Sequence, residues 1–360
     1  MVLKELSEAF GVSGCEDEVR GLIIEAIKDH VDEYRVDSMG NLIALKRGTG
    51  KSKVQSSKSK ISLKVMVAAH MDEVGLMITH IEKDGSLRFR PVGGIDDRIL
   101  LSKVVLIGQD RLPGVIGVKP VHLLKEKELK QVVKVDQMAI DIGVKSQEEA
   151  EKAVRVGDYA VFATGFCQLT EDGLRTVKGK AFDDRAGCAV LIEVLKERYP
   201  FDLYPVFTVQ EEVGLRGARV AAYAVEPDVA FVLEGTICDD MPKKKDVSPT
   251  TQLGAGPAIT IMDRTFIADR GLVKLLVETA EELDIPYQFK QPGIGGTDAG
   301  AIHLVKEGIP SVTVSVPCRY IHSPVCLLSL EDLENTVRLM KAALGRLVTR
   351  RLVDSGFVDS

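Results

Sequence analysis

Tryptophan is absent from the 360-residue sequence, and aromatic residues make up only 5% of it. A glycan hydrolase needs two carboxylates beside the glycosidic bond and usually aromatic platforms for the sugar rings, so this composition argues against that class. An excess of basic residues is also missing, because the net charge is −6 at pH 7. The sequence therefore offers no electrostatic footprint for nucleic acid, and we expect no nucleic-acid partner.

Long apolar runs are missing as well. None approaches the roughly 18 residues that a membrane-spanning helix needs, and the amino-terminal MVLKELSEAF lacks the apolar core and small-residue cleavage site of a signal peptide. The six cysteines are dispersed without a C-x-x-C pair, which argues against a zinc knuckle and against a disulfide framework. We expect reduced thiols in a cytoplasmic protein with no membrane partner.

The remaining composition, 45% hydrophobic and 28% charged, is typical of a globular protein, and the length suggests two domains. Residues 75–163 carry short Val, Ile and Leu runs between Gly and Pro, with a hairpin signal at Asp84-Gly85. Elsewhere, long helical patterns alternate with apolar strands, as in βαβ units. We predict an α/β fold: a mainly parallel doubly wound sheet from residues 1–74 and 164–360, interrupted by an inserted β-rich domain of residues 75–163.

Acidic and imidazole side chains occur where apolar, strand-like runs stop. They are His70 and Asp72 after SLKVMVAA, Glu211 and Glu212 after YPVFTVQ, Glu234 after VAFVL, His322 after SVTVSVPCRYI, and Asp183 in the glycine-punctuated KGKAFDDRAG. In open α/β sheets, ligands bind beyond the carboxyl ends of the strands, so residues on those ends converge in space. The pattern indicates a hydrolase with two metal ions.

Each motif also has a less specific interpretation. His70 and Asp72 lie on one side of an extended segment, so Asp72 can orient the imidazole of a ligating His70, although H-x-D alone also fits a core or surface histidine. Asp183 and Asp184 precede an apolar helix. Either aspartate could cap that helix, and one of them could also bridge two ions.

The pair Glu211-Glu212 is the sharpest local signal. Adjacent side chains at a strand end point in different directions, so one carboxylate can bind metal while the other handles the proton of the nucleophilic water. A solvated acidic pair is the alternative. Glu234 fits a second-ion ligand, and His322 fits either a ligand or a hydrogen-bonded core histidine. Mixed nitrogen and oxygen ligation suits Zn²⁺, Co²⁺ or Mn²⁺.

Six motifs carry a resemblance to a known family: FGVSGCEDEVR, AHMDEVG, GKAFDDRAG, VQEEVGLRGA, GGTDAG and VPCRYIHSP. In order and spacing they closely resemble metallopeptidase family 42, the glutamyl, deblocking and tetrahedral aminopeptidases, some members of which have been called endoglucanases. The match runs from about Ala9 to the last helix. The resemblance implies a two-metal aminopeptidase that hydrolyses amino-terminal residues from peptides.

The resemblance also implies a role for each site residue. One ion would be bound by His70, Asp183 and Glu234, and the other by Asp183, Glu212 and His322, with Asp183 bridging the two. Glu211 would be the general base, and Asp72 would orient His70. The position of Glu234 is often aspartate in the family, so metal spacing or preference can differ in this chain.

The resemblance further implies that residues 75–163 form a small β-barrel for dimerisation, and that the subunits form a homo-oligomer, either a dimer or a hollow tetrahedral dodecamer.

Two segments could line a substrate pocket: residues 295–300, unless they form a simple turn, and residues 238–240, unless they form a solvated loop. A carboxypeptidase or deacylase of the same metallohydrolase clan would use nearly the same ligands and stays an alternative. A non-catalytic scaffold would be expected to have lost a ligand or the base, and none is missing.

Overall fold

The computed structural model describes residues 2–49, 53–56, 59–240 and 250–354. The strands in this part of the chain are β1 (Glu33–Val36), β2 (Leu42–Leu45), β3 (Lys53–Ser56), β4 (Ser59–Ser62), β5 (Lys64–His70), β6 (Gly75–Ile81), β7 (Leu87–Val92), β8 (Val104–Ile107), β9 (Leu112–Ile116), β10 (Ile140–Asp141), β11 (Tyr159–Phe162), β12 (Cys167–Gln168), β13 (Thr176–Gly179), β14 (Asp202–Thr208), β15 (Val229–Cys238), β16 (Ala258–Thr260), β17 (Gln288–Lys290), β18 (Ser311–Arg319) and β19 (Cys326–Ser329). The α-helices are α1 (Leu3–Glu8), α2 (Asp17–Ile27), α3 (Gln147–Ala150), α4 (Phe182–Val194), α5 (Arg216–Val225), α6 (Arg270–Glu282), α7 (Ala299–Ile302) and α8 (Leu330–Asp354). Short 3₁₀ helices cover Asp97–Ile99, Val121–Leu123, Glu128–Lys130 and Val135–Gln137.

The large domain is built on a mixed sheet in the order β1-β2-β14-β5-β15-β18-β19-β13-β12, with β16 beside β18 and β17 beside β16. Its central strands β14, β5, β15 and β18 are parallel neighbours. The flanking pairs β1–β2, β18–β19 and β16–β18 are antiparallel. The predicted α/β fold is confirmed, with parallel pairing at the centre of the sheet and mixed pairing at its edges.

Burial explains why the central strands are apolar along their whole length. In β5 every residue after Lys64 is buried, and all of β18 before Arg319 is buried. Strands covered on both faces lose the alternation of polar and apolar residues that a half-exposed strand shows. Helix α4 packs on β5 and β15, and α8 packs beside it on β18 and β19. Helices α5 and α7 contact each other; α5 also contacts β14, and α7 also contacts β15.

The inserted segment forms a closed barrel in the order β10-β7-β6-β11-β8-β9. Its interior is a separate apolar cluster that includes Leu76, Phe89 and Ile116. Closure leaves no unpaired strand edge inside the barrel. The hairpin β6–β7 turns at Asp84-Gly85 as predicted, and Gly85 has a φ of +86°, a conformation that side chains other than glycine rarely adopt.

Residues 9–16, which we call the N-terminal arm, run between the barrel and the large domain. Phe10 and Val12 form a small buried cluster with Val161 of the barrel. Val12 also forms a parallel bridge with Glu73, just beyond the end of β5. The arm therefore contacts both the barrel and the carboxyl edge of the central sheet.

Candidate metal centre

The predicted site residues meet at the carboxyl edge of the four parallel strands. His70 is the last residue of β5, Glu234 lies in β15, and His322 follows β18. Glu211 and Glu212 follow β14, and Asp183 lies at the start of α4. The parallel pairing of β14, β5, β15 and β18 places these ends side by side, which is why residues far apart in sequence converge.

A first group of side chains surrounds His70. Its Nε2 atom lies 3.1 Å from Glu234 Oε1 and 3.3 Å from Asp183 Oδ1. Glu211 Oε2 is farther away, at 4.0 Å. All of these side chains are at least nine-tenths buried.

A second group surrounds His322. Its Nε2 atom lies 3.5 Å from Asp183 Oδ2 and 3.6 Å from Glu212 Oε2. Asp183 therefore presents one carboxylate oxygen to each histidine. That arrangement is what a carboxylate bridging two ions requires.

The donor atoms fit divalent cations. Imidazole nitrogens combined with carboxylate oxygens suit borderline metals such as Zn²⁺ or Co²⁺. Among the described residues, Glu234 Oε2 is buried without a hydrogen-bond partner. A buried polar atom of this kind is costly unless something binds it, so this oxygen is free to take part in ligation.

Carboxylates outnumber imidazoles in this buried site. Burial raises the pKa of Glu212 to about 7 and that of Glu234 to about 8, and it raises the pKa of Glu211 well above its ordinary value. Burial also opposes a charged His70, but Glu234 and Asp183 outweigh it and hold the pKa of His70 well above its usual range. Because like charges in a buried pocket repel strongly, bound cations would stabilise the ionised carboxylates.

Asp184 is separate from both groups. Asp183 and Asp184 have non-helical φ and ψ angles within α4, and Asp184 Oδ1 accepts the Gly187 N–H at 2.8 Å, which caps the regular part of the helix that follows. Its Oδ2 accepts the His70 N–H at 3.2 Å. Burial raises the pKa of Asp184 well above its ordinary value. Of the two aspartates that the sequence left open, Asp183 faces both histidines and Asp184 caps the helix.

Asp72 contacts both His70 and the acidic pair. Its Oδ1 lies 3.4 Å from His70 Nδ1, while its own carbonyl oxygen lies closer to that nitrogen, at 3.1 Å. The carboxylate accepts the Glu211 N–H at 3.0 Å and the Glu212 N–H at 3.2 Å. Ser13 Oγ donates to it at 2.6 Å. Sequence reasoning missed Ser13, although it lies in the motif FGVSGCEDEVR.

Sequence reasoning also missed a buried charge cluster behind the site. Glu73 Oε1 accepts from Lys180 Nζ at 2.6 Å and from Arg185 Nη2 at 3.3 Å. Burial lowers the pKa of Lys180 to about 8. Arg185 is fully buried and also donates to the carbonyl oxygens of Met71, at 2.8 Å, and Leu6, at 2.6 Å. Nothing local distinguishes these residues from ordinary surface charges.

The acidic side chains of the two candidate pocket segments, residues 295–300 and 238–240, form hydrogen bonds or ion pairs with other residues of the protein. Asp298, in GGTDAG, is buried and accepts from Thr208 Oγ1 at 2.5 Å, and burial raises its pKa to about 6. Asp240 forms a two-point ion pair with Arg319, at 2.6 and 2.8 Å. Asp239 accepts the Thr250 N–H. These contacts tie residues 295–300 to β14 and residues 238–240 to β18.

Two adjoining groups of imidazole and carboxylate side chains that share Asp183, at the carboxyl edge of an α/β sheet, are typical of metallohydrolases with paired metal sites. The comparisons with known proteins narrow the class to one family. A sequence model of the M42 glutamyl aminopeptidase family matches residues 40–339, and the chain belongs to that family. The predicted membership and aminopeptidase activity are thereby confirmed, and the family implies a divalent metal.

Similar proteins span nearly the whole chain. A putative aminopeptidase of Acetivibrio thermocellus is 44% identical over 348 residues, which is 95% of this chain and 97% of the relative. An aminopeptidase from the archaeon Desulfurococcus kamchatkensis has a TM-score of 0.89 at 40% identity, covering 100% of this chain and 98% of the other. The Pyrococcus horikoshii TET1 peptidase, which can assemble into a tetrahedron or a large octahedral shell, has a TM-score of 0.81 at 39% identity and covers 95% and 98%.

Among the described residues, none of the helices combines the length and the apolar character required to cross a bilayer.

Proposed function

We propose that this protein removes amino-terminal residues from peptides and that each subunit uses two divalent cations for this reaction, Zn²⁺, Co²⁺ or Mn²⁺. The observation that carries the proposal is the position of Asp183, whose Oδ1 lies 3.3 Å from His70 Nε2 and whose Oδ2 lies 3.5 Å from His322 Nε2. In this assignment Glu234 completes the His70 group, and Glu212 completes the His322 group.

Bound cations would supply Lewis acidity for the scissile carbonyl and would acidify the attacking water. The protein's own contribution is proton transfer and positioning. Glu211 is assigned as the general base that takes the water proton and returns it to the leaving amine. Its carboxylate lies near the His70 group without being needed for either ligand set, and its backbone N–H is held by Asp72.

Metal removal tests this proposal directly. Exhaustive chelation should abolish cleavage of aminoacyl p-nitroanilides, and Zn²⁺, Co²⁺ or Mn²⁺ should restore it, with about two ions per subunit in elemental analysis. Full activity of a verified metal-free sample would refute the assignment.

A second panel separates an aminopeptidase from a carboxypeptidase or deacylase of the same clan. Peptides with a free amino terminus should be cleaved, and matched peptides with an acetylated amino terminus should resist cleavage. Release of carboxy-terminal residues, or of acetate from the blocked peptides, would instead support the alternatives.

We further propose that the barrel forms a subunit interface in a homo-oligomer, either a dimer or a dodecamer. It supplies none of the assigned ligands. Several large apolar side chains of the barrel are exposed between residues 118 and 132, namely Val118, Val121, Leu123, Leu129 and Val132. Exposed apolar patches are typical of protein contacts, and the related TET1 peptidase can assemble into a tetrahedron or a large octahedral shell.

A further inference from the structure

We infer that the N-terminal arm belongs to the catalytic machinery, and that Ser13 is a positioning residue for the acidic pair Glu211-Glu212. The inference rests on the proposed function and deepens it. Ser13 acts through Asp72, so it touches neither the substrate nor the reacting atoms.

The amide groups of the acidic pair donate to Asp72 and not to a neighbouring strand. Strand β14 ends at Thr208, and α5 does not begin until Arg216, so Glu211 and Glu212 lie in a connection. Gln210, just before them, has a φ of +57°, which is uncommon outside glycine. Both amide groups of the pair donate to the Asp72 carboxylate, at 3.0 and 3.2 Å.

Ser13 supplies the shortest hydrogen bond to that carboxylate. Its Oγ lies 2.6 Å from Asp72 Oδ2, the same oxygen that accepts the Glu212 N–H. Both Ser13 and Asp72 are buried, with exposed fractions of 4% and 0%. In a buried setting the direction of a carboxylate depends on its donors, and a neutral hydroxyl fixes that direction without adding a charge beside the ligands.

The arm places this hydroxyl through its own backbone bonds. Glu73 N–H donates to Gly11 O at 2.9 Å, and Ser13 N–H donates to Glu73 O at 3.3 Å, on either side of the Val12–Glu73 bridge. The chain then turns at Gly14, which has a φ of +90° and lies against Tyr159 of the barrel. Ser13 is thus fixed by contacts to the sheet edge and to the barrel, as a positioning role requires.

The chain offers a matched control for removing this hydroxyl. Ser7 lies in α1, is fully buried, and donates its Oγ to the Lys180 carbonyl at 2.7 Å, with no contact to Asp72. Ser13→Ala and Ser7→Ala each delete one buried hydroxyl that donates one hydrogen bond. If the Ser13 hydroxyl has a purely structural role, the two variants should change kcat and zinc affinity to a similar extent. If it positions Asp72, only Ser13→Ala should change them strongly.

The experiment compares Ser13→Ala, Ser13→Cys and Ser7→Ala in the full-length chain. Ser13→Cys keeps the side-chain shape, but its thiol is only a weak hydrogen-bond donor. It therefore tests the same loss of the hydrogen bond if the alanine variant fails to fold. We expect both Ser13 variants to lower kcat about tenfold or more with little change in KM, and to raise the zinc dissociation constant in a chelator competition about tenfold, the scale typical of groups that orient ligands. Ser7→Ala should leave kcat and the zinc dissociation constant within about twofold of the parent.

Two results would overturn the inference. One is Ser13 variants whose kcat and zinc dissociation constant both stay within about twofold of the parent protein. The other is a Ser7→Ala variant that loses as much as the Ser13 variants do. Failure of the proposed function has a different signature, because the parent protein would then lack peptidase activity with every metal tried, while the zinc titrations of the variants would still decide the role of Ser13.

Discussion

Glu211 and Glu212 are neighbours in the chain, but their carboxylates face different histidines. Glu212 Oε2 lies 3.6 Å from His322 Nε2, and Glu211 Oε2 lies 4.0 Å from His70 Nε2. Glu211→Gln keeps the size of the side chain and removes the base, so it should retain both metals and lower kcat about a hundredfold or more with little change in KM. Steady-state kinetics and elemental analysis on one sample measure both quantities.

Glu212→Gln is the matched comparison, since the same amide is introduced one position along the chain. A neutral amide is a poorer ligand for a divalent cation than a carboxylate, so this variant should lose one metal. Glu211, His70 and Glu234 also lie close enough together to hold an ion. Metal loss from the Glu211 variant, with full metal content in the Glu212 variant, would reverse the two roles.

At the level of single residues, the apolar runs made the convergence of these side chains predictable. His70, Glu211, Glu212 and Glu234 each follow an apolar run, and parallel pairing brings such ends together whatever their distance in sequence. Ser13 could not be found in this way, because its partner Asp72 is 59 positions further along the chain and no periodicity links the arm to β5. The resemblance implies only that Asp72 orients His70, and it does not predict that Asp72 also accepts hydrogen bonds from the backbone amides of Glu211 and Glu212.

Among the elements, the helices followed from apolar periodicity. In α2 the buried residues Val19, Ile23 and Ile27 recur every four positions, as on one face of a helix. Local patterns in residues 75–163 predicted the strands singly, and only the family resemblance implied their closure into a barrel. Closure depends on pairs distant in sequence, such as β6 with β11 and β7 with β10, which no local pattern encodes.

The buried cluster of Glu73, Lys180 and Arg185 joins three elements: α1, the segment after β5, and the start of α4. Glu73→Gln would leave two buried cations without their carboxylate. Breaking a buried ion pair by removing one partner costs about 3–5 kcal/mol, so we expect a large fall in the free energy of unfolding, measured by urea denaturation. Unfolding of the apo and metal-loaded forms should shift alike, because the cluster contains none of the assigned ligands.

Glu82→Gln is the control for that substitution. Glu82 pairs with Arg88 at 2.7 Å, but both side chains are more than a third exposed. Exposed ion pairs contribute little to stability, so this variant should unfold close to the parent protein. Equal losses in the two variants would mean that the Glu73 cluster contributes no more than a surface pair.

Across the whole molecule, the barrel and the large domain have separate apolar cores, and the N-terminal arm contacts both of them. Residues 75–163 also reach the site, because the Gly94 carbonyl oxygen lies 2.9 Å from His322 Nδ1, but none of the assigned ligands lies between residues 118 and 132. The most exposed apolar side chains between residues 118 and 132 are Val121 and Leu123, at 68% and 60%. Val156, also within residues 75–163 but outside that segment, is 62% exposed and provides a control of equal exposure.

The interface prediction follows from burying charge at a contact. If residues 118–132 meet another subunit, Val121→Glu combined with Leu123→Glu would place two carboxylates in an apolar contact, where unpaired charges are strongly unfavourable. Light scattering should then show a dimer or dodecamer for the parent chain and for Val156→Glu, and a smaller species for the double variant. Metal content should stay unchanged in all three proteins, because the assigned ligands lie in the large domain. A parent chain that is monomeric at micromolar concentration, or a double variant that keeps the parent mass, would remove the barrel from the interface.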